Sequence, residues 1–467
     1  MRKGGLILIL ILFLALPAWG TVYYIDSASP GGDGTSPATA FKTLSAAQSA
    51  ITGSQPDSSL LLRKSCVWQE TLILGMSGTI GHPFVIGSYG VGDKPVIDAT
   101  GRNDGIDINE KNNITITELV IKNANHNGIV AYSGGSDIVI DGCSILNNKE
   151  AGIKAWSVST PIDNWIIRNC EISSNLSDGI DMSGICTNWL IEKNSVHHNC
   201  SGYFPEIPEG WMAGIKLITI PVANNIIQYN DVYANGLGDF ARVNGLGIWL
   251  DTVGPGNIIR YNRTCSNNWS GIMNEATNGT QIYYNISLKN NIVGIYVFRS
   301  SSYNVVYNKV CYGNSIGLGL TGDYPPQPGN TIGNIFKNNI SFGNSQSQLR
   351  AYFDLGGTVY EHNCLGPNGT SLVEWDPDNF ISTYSAWESE YGDSTHSVQA
   401  DPQFIIPGAD FHLQPSSPCI RAGIWVGLEK DYDGNLVGNP PSIGAFEKQS
   451  TPIKSSAVPT VLLLLLE

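Results

Sequence analysis

The fold of this chain is decided by one repeated stretch, which reads Gly271-Ile272-Met273-Asn274-Glu275 at its start, Ile282-Tyr283-Tyr284-Asn285 in its middle and Asn291 at its end. Its opening, a glycine followed by an aliphatic residue, recurs nine times. The nine dipeptides are Gly105-Ile106, Gly128-Ile129, Gly152-Ile153, Gly179-Ile180, Gly214-Ile215, Gly247-Ile248, Gly271-Ile272, Gly294-Ile295 and Gly317-Leu318. Successive glycines are 23, 24, 27, 35, 33, 24, 23 and 23 residues apart. A period in this range predicts stacked structural repeats.

Each repeat contains three short apolar segments. The Gly-aliphatic segment is followed by a run closed by asparagine, as in Ile226-Ile227-Gln228-Tyr229-Asn230, and then by a third pulse such as Val310-Cys311. Strands this short cannot pair within one repeat, but each can pair in parallel with its copy in the next repeat. Asparagine suits the bends, because it tolerates left-handed backbone and its amide can bond to the asparagines above and below. The sequence therefore predicts an all-β, single-stranded parallel β-helix with three short strands per turn.

This repeat resembles those of the pectate-lyase-like superfamily of right-handed parallel β-helix proteins, which carry PbH1-type repeats. The resemblance covers about Gly105 to Asn344. It implies a right-handed solenoid and, since many members act on polysaccharides, a carbohydrate-active protein. The composition agrees, because 52 glycines and only 14% charged residues fit neither a helical bundle nor a disordered chain.

The chain divides into five predicted segments. Residues 1–20 have the basic start, apolar stretch and small residues of a signal peptide, which predicts a secreted or cell-surface protein. Residues 21–104 form an N-terminal cap, with a short helix at about Leu44 to Ile51, and the first irregular coils. Residues 105–365 form the regular β-helix. Residues 366–447 form an irregular closing segment, with a helix at Ser382 to Glu390, and residues 448–467 a Ser/Thr/Pro linker and short apolar tail.

Charge and hydropathy narrow the range of partners. Without residues 1–20 the chain has 24 basic and 40 acidic residues, a net charge near -16. An acidic surface of this kind argues against binding to nucleic acid or anionic lipid. The apolar tail is too short to span a bilayer, so no stable membrane span is expected in the mature chain. We expect a monomer whose partner is a polysaccharide.

Outward-facing positions of the Gly-aliphatic strands define a candidate site. Because the aliphatic residue points inward, the next residue and the one two further along point outward. These positions form two columns, which we call the ribbon. The first column is Asp107, Val130, Lys154, Asp181, Lys216, Trp249, Met273 and Tyr296, and the second is Asn109, Tyr132, Trp156, Ser183, Ile218, Asp251, Glu275 and Phe298.

The ribbon combines charged and aromatic residues, as polysaccharide binding requires. Sugar rings stack on aromatic faces, while their polar substituents need a few fixed polar groups. Two longer repeats place loops at residues 200–213 and 236–245 beside the ribbon. The predicted substrate-binding residues are Trp156, Trp249, Tyr296 and Phe298 on the ribbon, with Tyr203 and Trp211 in the first loop.

A lyase mechanism would use the Lys154, Asp181 and Lys216 stack. A base would remove the proton beside a uronate carboxyl, while Ca²⁺ or a cationic side chain stabilises the enolate. We expect Lys216 to be the base, with its pKa lowered under Tyr203 and Trp211, and Lys154 to stabilise the enolate. Calcium would be held by Asp181, Asp251 and Glu275. From the sequence alone, we prefer this lyase mechanism to the two alternatives that follow.

Two alternatives stay open at this stage. Asp251 and Glu275 face outward on adjacent coils at roughly 5 Å, near the carboxylate separation of retaining glycoside hydrolases. The paired-Asp signature of inverting β-helix hydrolases is not found convincingly. The other alternative is a non-catalytic surface or adhesive β-helix, which needs the aromatics but not the charged pairs. In every case Trp156 and Trp249 are predicted to be solvent-exposed.

Overall fold

The computed structural model of the protein describes residues 20–108, 110–202, 211–219, 221–237, 244–324, 331–354, 356–370 and 372–448. Nearly all of the predicted signal peptide and C-terminal tail lie outside these ranges. Tyr203, Asn109 and most of the two predicted ribbon loops are also outside the described residues. None of the helices in the described ranges is long and apolar enough to cross a membrane.

The described residues form three long sheets built from one strand per coil, and the third sheet ends with Phe380–Ile381, which pairs antiparallel with Val373–Trp375. The first sheet has 13 strands, the second 11 and the third 13. Neighbouring strands in the coils pair in parallel and in register, as Ile129 does with Ile153 and Ile153 with Ile180. About 12 coils stack in this way. The predicted all-β fold, a parallel β-helix with three strands per turn, is confirmed.

The strands of the first sheet are Val22–Ile25, Ser59–Arg63, Phe84–Tyr89, Ile114–Thr117, Ile138–Asp141, Ile166–Arg168, Leu190–Glu192, Ile226–Gln228, Ile258–Arg260, Gln281–Tyr283, Val305–Tyr307, Ile335–Lys337 and Val359–Glu361. Those of the second sheet are Val67–Trp68, Val96–Asp98, Val120–Lys122, Ser144–Leu146, Glu171–Ser173, Ser195–His197, Asp231–Tyr233, Arg263–Cys265, Ile286–Leu288, Val310–Tyr312 and Ile340–Phe342. The third sheet, which carries the ribbon, consists of Leu72–Ile73, Ile106–Asp107, Ile129–Tyr132, Ile153–Asp163, Ile180–Thr187, Trp211–Ile218, Asn244–Asp251, Ser270–Glu275, Val293–Phe298, Ile316–Thr321, Ser347–Tyr352, Val373–Trp375 and Phe380–Ile381.

Short elements close the N-terminal end. A 3₁₀ turn at Pro37–Thr39 precedes the helix Leu44–Ala50, whose first turn is capped by the Thr43 hydroxyl accepting from the Ala46 N–H. Leu44 is fully buried against the first coils. The predicted cap helix is confirmed, and it covers apolar surface that an open end would expose. Nearby, Gly53–Ser54 pairs in parallel with Met76–Ser77.

The C-terminal segment closes the other end and covers one side. Its helix, Tyr384–Tyr391, begins two residues later than predicted and ends at Gly392 in the left-handed conformation. The hairpin of Phe404–Ile406 and Asp410–Leu413 follows. Phe404 and Phe411 then pack against the outer side of the second sheet, next to Val310 and Ile340. This segment therefore lies away from the ribbon.

Asparagine side chains form hydrogen-bonded ladders at the bends, of which two are long and a third consists of the pairs Asn225–Asn257 and Asn304–Asn334. In the longer ladder each amide Nδ2 donates to the Oδ1 of the next asparagine at 2.8 to 3.1 Å. Its members are Asn148, Asn175, Asn199, Asn235, Asn267, Asn290, Asn314 and Asn344. The predicted role of asparagine is confirmed. Since all are buried, each bond satisfies groups that would otherwise lose their hydrogen bonds to water.

The second ladder contains one exception. It runs from Asn194 to Asn285, resumes at Asn339, and has Lys309 at the intervening position. Lys309 is fully buried, and in the described structure its Nζ has no hydrogen-bond partner. Burial accordingly moves the pKa of Lys309 well below its usual value.

Replacing this lysine should stabilise the protein. We expect Lys309→Asn to raise the free energy of unfolding, because asparagine can complete the ladder and removes a buried amine. The unfolded chain binds a proton at Lys309 below its ordinary pKa, whereas the folded chain does not, so wild-type stability rises with pH in that window. The gain should therefore be larger at neutral pH than near the ordinary lysine pKa. Urea unfolding at both pH values measures it.

The exposed Lys289 provides the matched control. It occupies a bend with φ of 52° that asparagine also tolerates. Lys289→Asn should change stability little and equally at both pH values. A Lys309→Asn protein less stable than wild type would contradict the proposed ladder repair.

Candidate functional site

The ribbon forms in the predicted register. In the first column Lys154 pairs with Asp181, Asp181 with Lys216, and Lys216 with Trp249. In the second column Asp251 pairs with Glu275, which pairs with Phe298. Paired residues lie on adjacent coils about 4.8 Å apart. The register of these pairs is as predicted, while the chemical roles assigned to these residues stay predictions.

A cluster of two lysines and two aspartates occupies one part of the ribbon. Lys154 Nζ lies 3.0 Å from Asp181 Oδ2. The other oxygen, Asp181 Oδ1, is buried and has no hydrogen-bond partner among the described residues. Lys216 Nζ donates to the carbonyl of Trp211 at 3.2 Å and lies 4.9 Å from the centroid of the Trp249 ring.

Asp178 is a member of this cluster that the sequence analysis missed. It is buried, and its Oδ1 accepts a hydrogen bond from the Ala213 N–H at 2.7 Å while Oδ2 accepts one from Ser177 at 3.0 Å. Burial raises the pKa of Asp178, and the Lys216 charge opposes that rise. Asp178 precedes Gly179 and so lies outside the two outward columns, which is why the period did not indicate it.

Both lysines have pKa values above the ordinary lysine value. Burial by itself lowers the pKa of Lys216, but the charges of Asp178 and Asp181 outweigh it and raise the pKa. Burial likewise opposes the rise at Lys154, and the charge and hydrogen bond of Asp181 outweigh it. The prediction of a lowered Lys216 pKa is therefore wrong. The prediction fails because the charge of Asp178, which the sequence analysis did not foresee, raises this pKa. Lys216 therefore stays protonated, and a protonated lysine is a poor base.

In the carboxylate pair, burial raises the pKa of Glu275, whereas in the lysines it opposes the rise. Glu275 is half-buried, and burial together with the Asp251 charge raises the pKa of Glu275 to about 7. The Arg299 charge and the Trp249 hydrogen bond oppose this rise. Trp249 Nε1 donates to Glu275 Oε2 at 3.2 Å, and Asp251 Oδ1 accepts from Thr252 Oγ1 at 2.7 Å. One carboxyl thus holds a proton near neutral pH beside a second carboxyl on the adjacent coil.

The aromatic residues separate into exposed and buried ones. Trp156 is 42% exposed, as predicted, and Trp211 is 36% exposed. Trp249, however, is only 5% exposed, so the prediction for it is wrong. Tyr296 is also 5% exposed, and Phe298 is partly buried.

The reason for these burials is a small apolar core on the outer side of the third sheet. Trp249 and Tyr296 pack there with Met273, and Trp269 lies above them, its ring centroid 5.9 Å from that of Tyr296. Trp211, at the start of an extended strand, lies 6.2 Å from Trp249 and 5.0 Å from Trp269. Large aromatic side chains in adjacent coils therefore cover one another instead of presenting their faces to solvent.

A cleft of about 370 Å³ opens beside Trp156. Its lining consists of Trp156, Ser157, Val158, Gly184, Ile185, Thr219 and Pro221. Only Trp156 was predicted from the ribbon. The 27-residue step between Gly152 and Gly179 was the signal in the sequence, since it is three or four residues longer than the basic repeat.

The predicted calcium ligands do not converge. Asp181 lies two coils from Asp251 in the register of the third sheet and is paired with Lys154. Within the described ranges no three Asp, Glu, His or Cys side chains are grouped so that they could hold a metal ion. Calcium usually takes six to eight oxygen ligands, which these residues do not supply together.

The fold and the repeats define a right-handed parallel β-helix protein. The family model for a right-handed β-helix region matches residues 97–166. Among solved structures, the XylC protein in complex with xylose matches with a TM-score of 0.56 and 12% identity, covering 91% of this chain and 98% of that one. A GH136 lacto-N-biosidase from Eubacterium ramulus matches with a TM-score of 0.51 and 16% identity, covering 76% and 68%.

Pectate lyase Pel9A matches with a TM-score of 0.48 and 16% identity, covering 92% of this chain and 96% of that one. No curated protein matches the sequence significantly. At these identities the structural similarities show the fold.

The burial difference between the two tryptophans can be measured. We expect Trp249→Ala to lower the free energy of unfolding by about 3–5 kcal/mol, because it removes a buried aromatic side chain. Trp156→Ala should change it by no more than about 0.5 kcal/mol, as for exposed positions. Urea unfolding of both variants provides the comparison, and equal losses would contradict the burial of Trp249.

Glu275 should make stability depend on pH. Its pKa is raised in the folded state, so the folded protein holds this proton more tightly than the unfolded chain. Stability from this group is therefore lost as pH rises from the ordinary glutamate value through about 7. We expect Glu275→Gln to be more stable than wild type at pH above that range, with a smaller difference in acid. Thermal unfolding across pH, with Glu390→Gln at an exposed helix position as control, measures this effect.

Proposed function

We propose that this protein is a glycoside hydrolase whose catalytic pair is Asp251 and Glu275. The observation that carries this proposal is their placement: two carboxyl groups face outward in register on adjacent coils, and the pKa of Glu275 is raised to about 7. A coil spacing of about 4.8 Å is close to the ~5–5.5 Å carboxyl separation of retaining enzymes.

In this mechanism Glu275 is the general acid. Its proton, retained near neutral pH, passes to the glycosidic oxygen while the Asp251 carboxylate attacks the anomeric carbon and forms a glycosyl ester. Glu275, now ionised, then accepts a proton from the water that hydrolyses the ester. Trp249 holds Oε2 of Glu275 with its indole N–H and thereby orients the carboxyl group.

The carbohydrate class rests on the surfaces beside this pair. Trp156 and Trp211 expose aromatic area on the same sheet, and Phe298 is the direct neighbour of Glu275. Aromatic faces of this kind stack on sugar rings. Two proteins of the same fold, a lacto-N-biosidase and a protein bound to xylose, also support a carbohydrate substrate. Secretion or cell-surface display, predicted from the sequence, suits an extracellular polymer.

A lyase acting on a uronate-containing polymer is the second candidate. The observation in its favour is the cluster of Lys154, Asp181 and Lys216, in which Asp181 Oδ1 is buried without a partner. Against it, the pKa of both lysines is raised, so neither is prepared to take a proton. We therefore propose that this cluster binds the substrate and does not take part in proton transfer. Calcium binding by Asp181, Asp251 and Glu275 is part of this lyase proposal and not of the hydrolase proposal.

Product analysis tests the choice. Purified protein is incubated with a panel of polysaccharides and oligosaccharides, and reducing ends are measured in parallel with ultraviolet absorbance of unsaturated sugars. We expect reducing ends without the unsaturated product, and anomeric NMR should show retained configuration. The rate should fall as pH rises through about 7, because Glu275 then loses its proton. EDTA should have no effect.

Three variants complete the test. Asp251→Asn and Glu275→Gln should each reduce kcat by about 10²–10⁴-fold, whereas Lys216→Met should mainly raise KM. Unsaturated products that disappear in Lys216→Met would support the lyase. An absence of any reaction, with binding retained, would point to a surface or adhesive protein.

A further inference from the structure

The cleft beside Trp156 is built by a local departure from the repeat. In the strand Ile153–Asp163, Ser157 pairs with Gly184, and pairing resumes only at Ile162 with Cys186. Residues 158–161 therefore form an outward excursion opposite the single residue Ile185. Ser157 is fully buried, and its Oγ accepts the N–H groups of Ser159 at 3.4 Å and Thr160 at 3.1 Å. This turn fixes Val158, which is 68% exposed, at the lip of the cleft.

The next two coils form the floor of the cleft. Gly184 has a φ of +81°, and a Cβ at this position would lie 1.7 Å from the Ser157 carbonyl oxygen, so the backbones approach more closely than any other residue permits. The Gly184 N–H donates to Thr219 Oγ1 at 2.9 Å. The shape of the cleft thus depends on backbone contacts and is present before any ligand binds.

The lining is uncharged. Trp156, Val158, Ile185 and Pro221 contribute apolar area, and none of the described residues that line the cleft is ionisable. The hydroxyl oxygens of Ser157 and Thr219 already accept backbone N–H groups. A carboxylate entering here would lose hydration without gaining a cation, which is unfavourable. An apolar group would instead gain contact area, and the volume of about 370 Å³ falls in the ordinary range of ligand pockets.

The wall of the cleft lies on the coil next to the one that carries Asp251. Thr219, in its wall, donates its N–H to the carbonyl of Asp251 at 3.0 Å, and Ile218 is the register partner of Asp251. The middle of the cleft, at Gly184, lies two coils from Asp251, or about 10 Å along the ribbon. A sugar chain cleaved at the pair and running along the ribbon would reach it.

We propose that this cleft is a sugar subsite for a neutral residue carrying an apolar substituent, such as the methyl group of a 6-deoxy sugar or an ester acyl group. Its position relative to the scissile bond rests on the proposed hydrolase function. The preference of the cleft for an apolar substituent does not rest on that function, since it follows from the residues that line the cleft. The cleft therefore selects against the uronate that a lyase substrate would place there.

Matched ligands test the preference. Full-length protein with Glu275→Gln is titrated with methyl glycosides of D-galactose and D-glucose, of their 6-deoxy forms, and of their uronates, with binding followed by ligand-observed NMR. We expect the 6-deoxy sugars to bind about tenfold more tightly than the parent hexoses, as one small apolar group can achieve. The uronates should bind most weakly. Tightest binding by the uronates, or no binding by any of the six, would overturn the proposal.

A charge at the lip provides the second measurement. Val158→Asp should weaken binding of the 6-deoxy sugars by at least about tenfold, whereas Val91→Asp, at a 98% exposed bend far along the chain, should leave it unchanged. If the Val158→Asp protein binds the 6-deoxy sugars as tightly as the protein with Val158, the assignment of the cleft as a sugar subsite is overturned. If the preference is found but Glu275→Gln hydrolyses substrates at the wild-type rate, the hydrolase proposal fails while the subsite stands.

Discussion

In-register pairing of each coil with the next is the interaction on which the rest of the structure depends. A strand of three residues contributes few hydrogen bonds, but 13 copies form a sheet in which interior backbone groups are paired on both sides. The buried asparagine ladders hold the same register at the bends, because each amide bonds to its equivalent one coil away. A shift of one residue would break the ladders and turn the isoleucine stack outward.

That register also creates the candidate site. Residues far apart in the chain, such as Asp251 and Glu275, are brought to adjacent coils at the same outward position. The site consequently sits on paired strands, which fix the spacing of the two backbone positions that carry the carboxyl groups without help from a loop. Two departures from the regular repeat add features that the regular coils lack. The excursion at residues 158–161 makes a cleft, and the extended strand at Trp211 covers Trp249.

Burial and neighbouring charges act together in two clusters of the ribbon, and their net effect raises the pKa of Lys216 in the first cluster and of Glu275 in the second. At Lys216 the desolvation penalty is outweighed by two aspartates, so the lysine stays protonated. At Glu275 the nearest carboxylate adds to the desolvation penalty, so the glutamate also holds its proton. Both groups are therefore protonated near neutrality, but only the glutamate is an acid that can release its proton to a glycosidic oxygen at that pH. This difference in electrostatics is the basis on which we propose a hydrolase and not a lyase.

The sequence by itself determined the β-helix, the register and the list of outward residues. Its repeat of Gly-aliphatic pairs and asparagines encodes contacts between equivalent positions, and such contacts need no knowledge of the rest of the molecule. The tertiary structure decided the properties that depend on several elements at once. Whether Trp249 is exposed depends on Trp211 and Trp269, which are not its register partners in the same column. The pKa of Lys216 depends on Asp178, and the cleft depends on a backbone approach at Gly184. Burial and electrostatic fields sum over all neighbours in space, whereas a period records only the neighbours one repeat away.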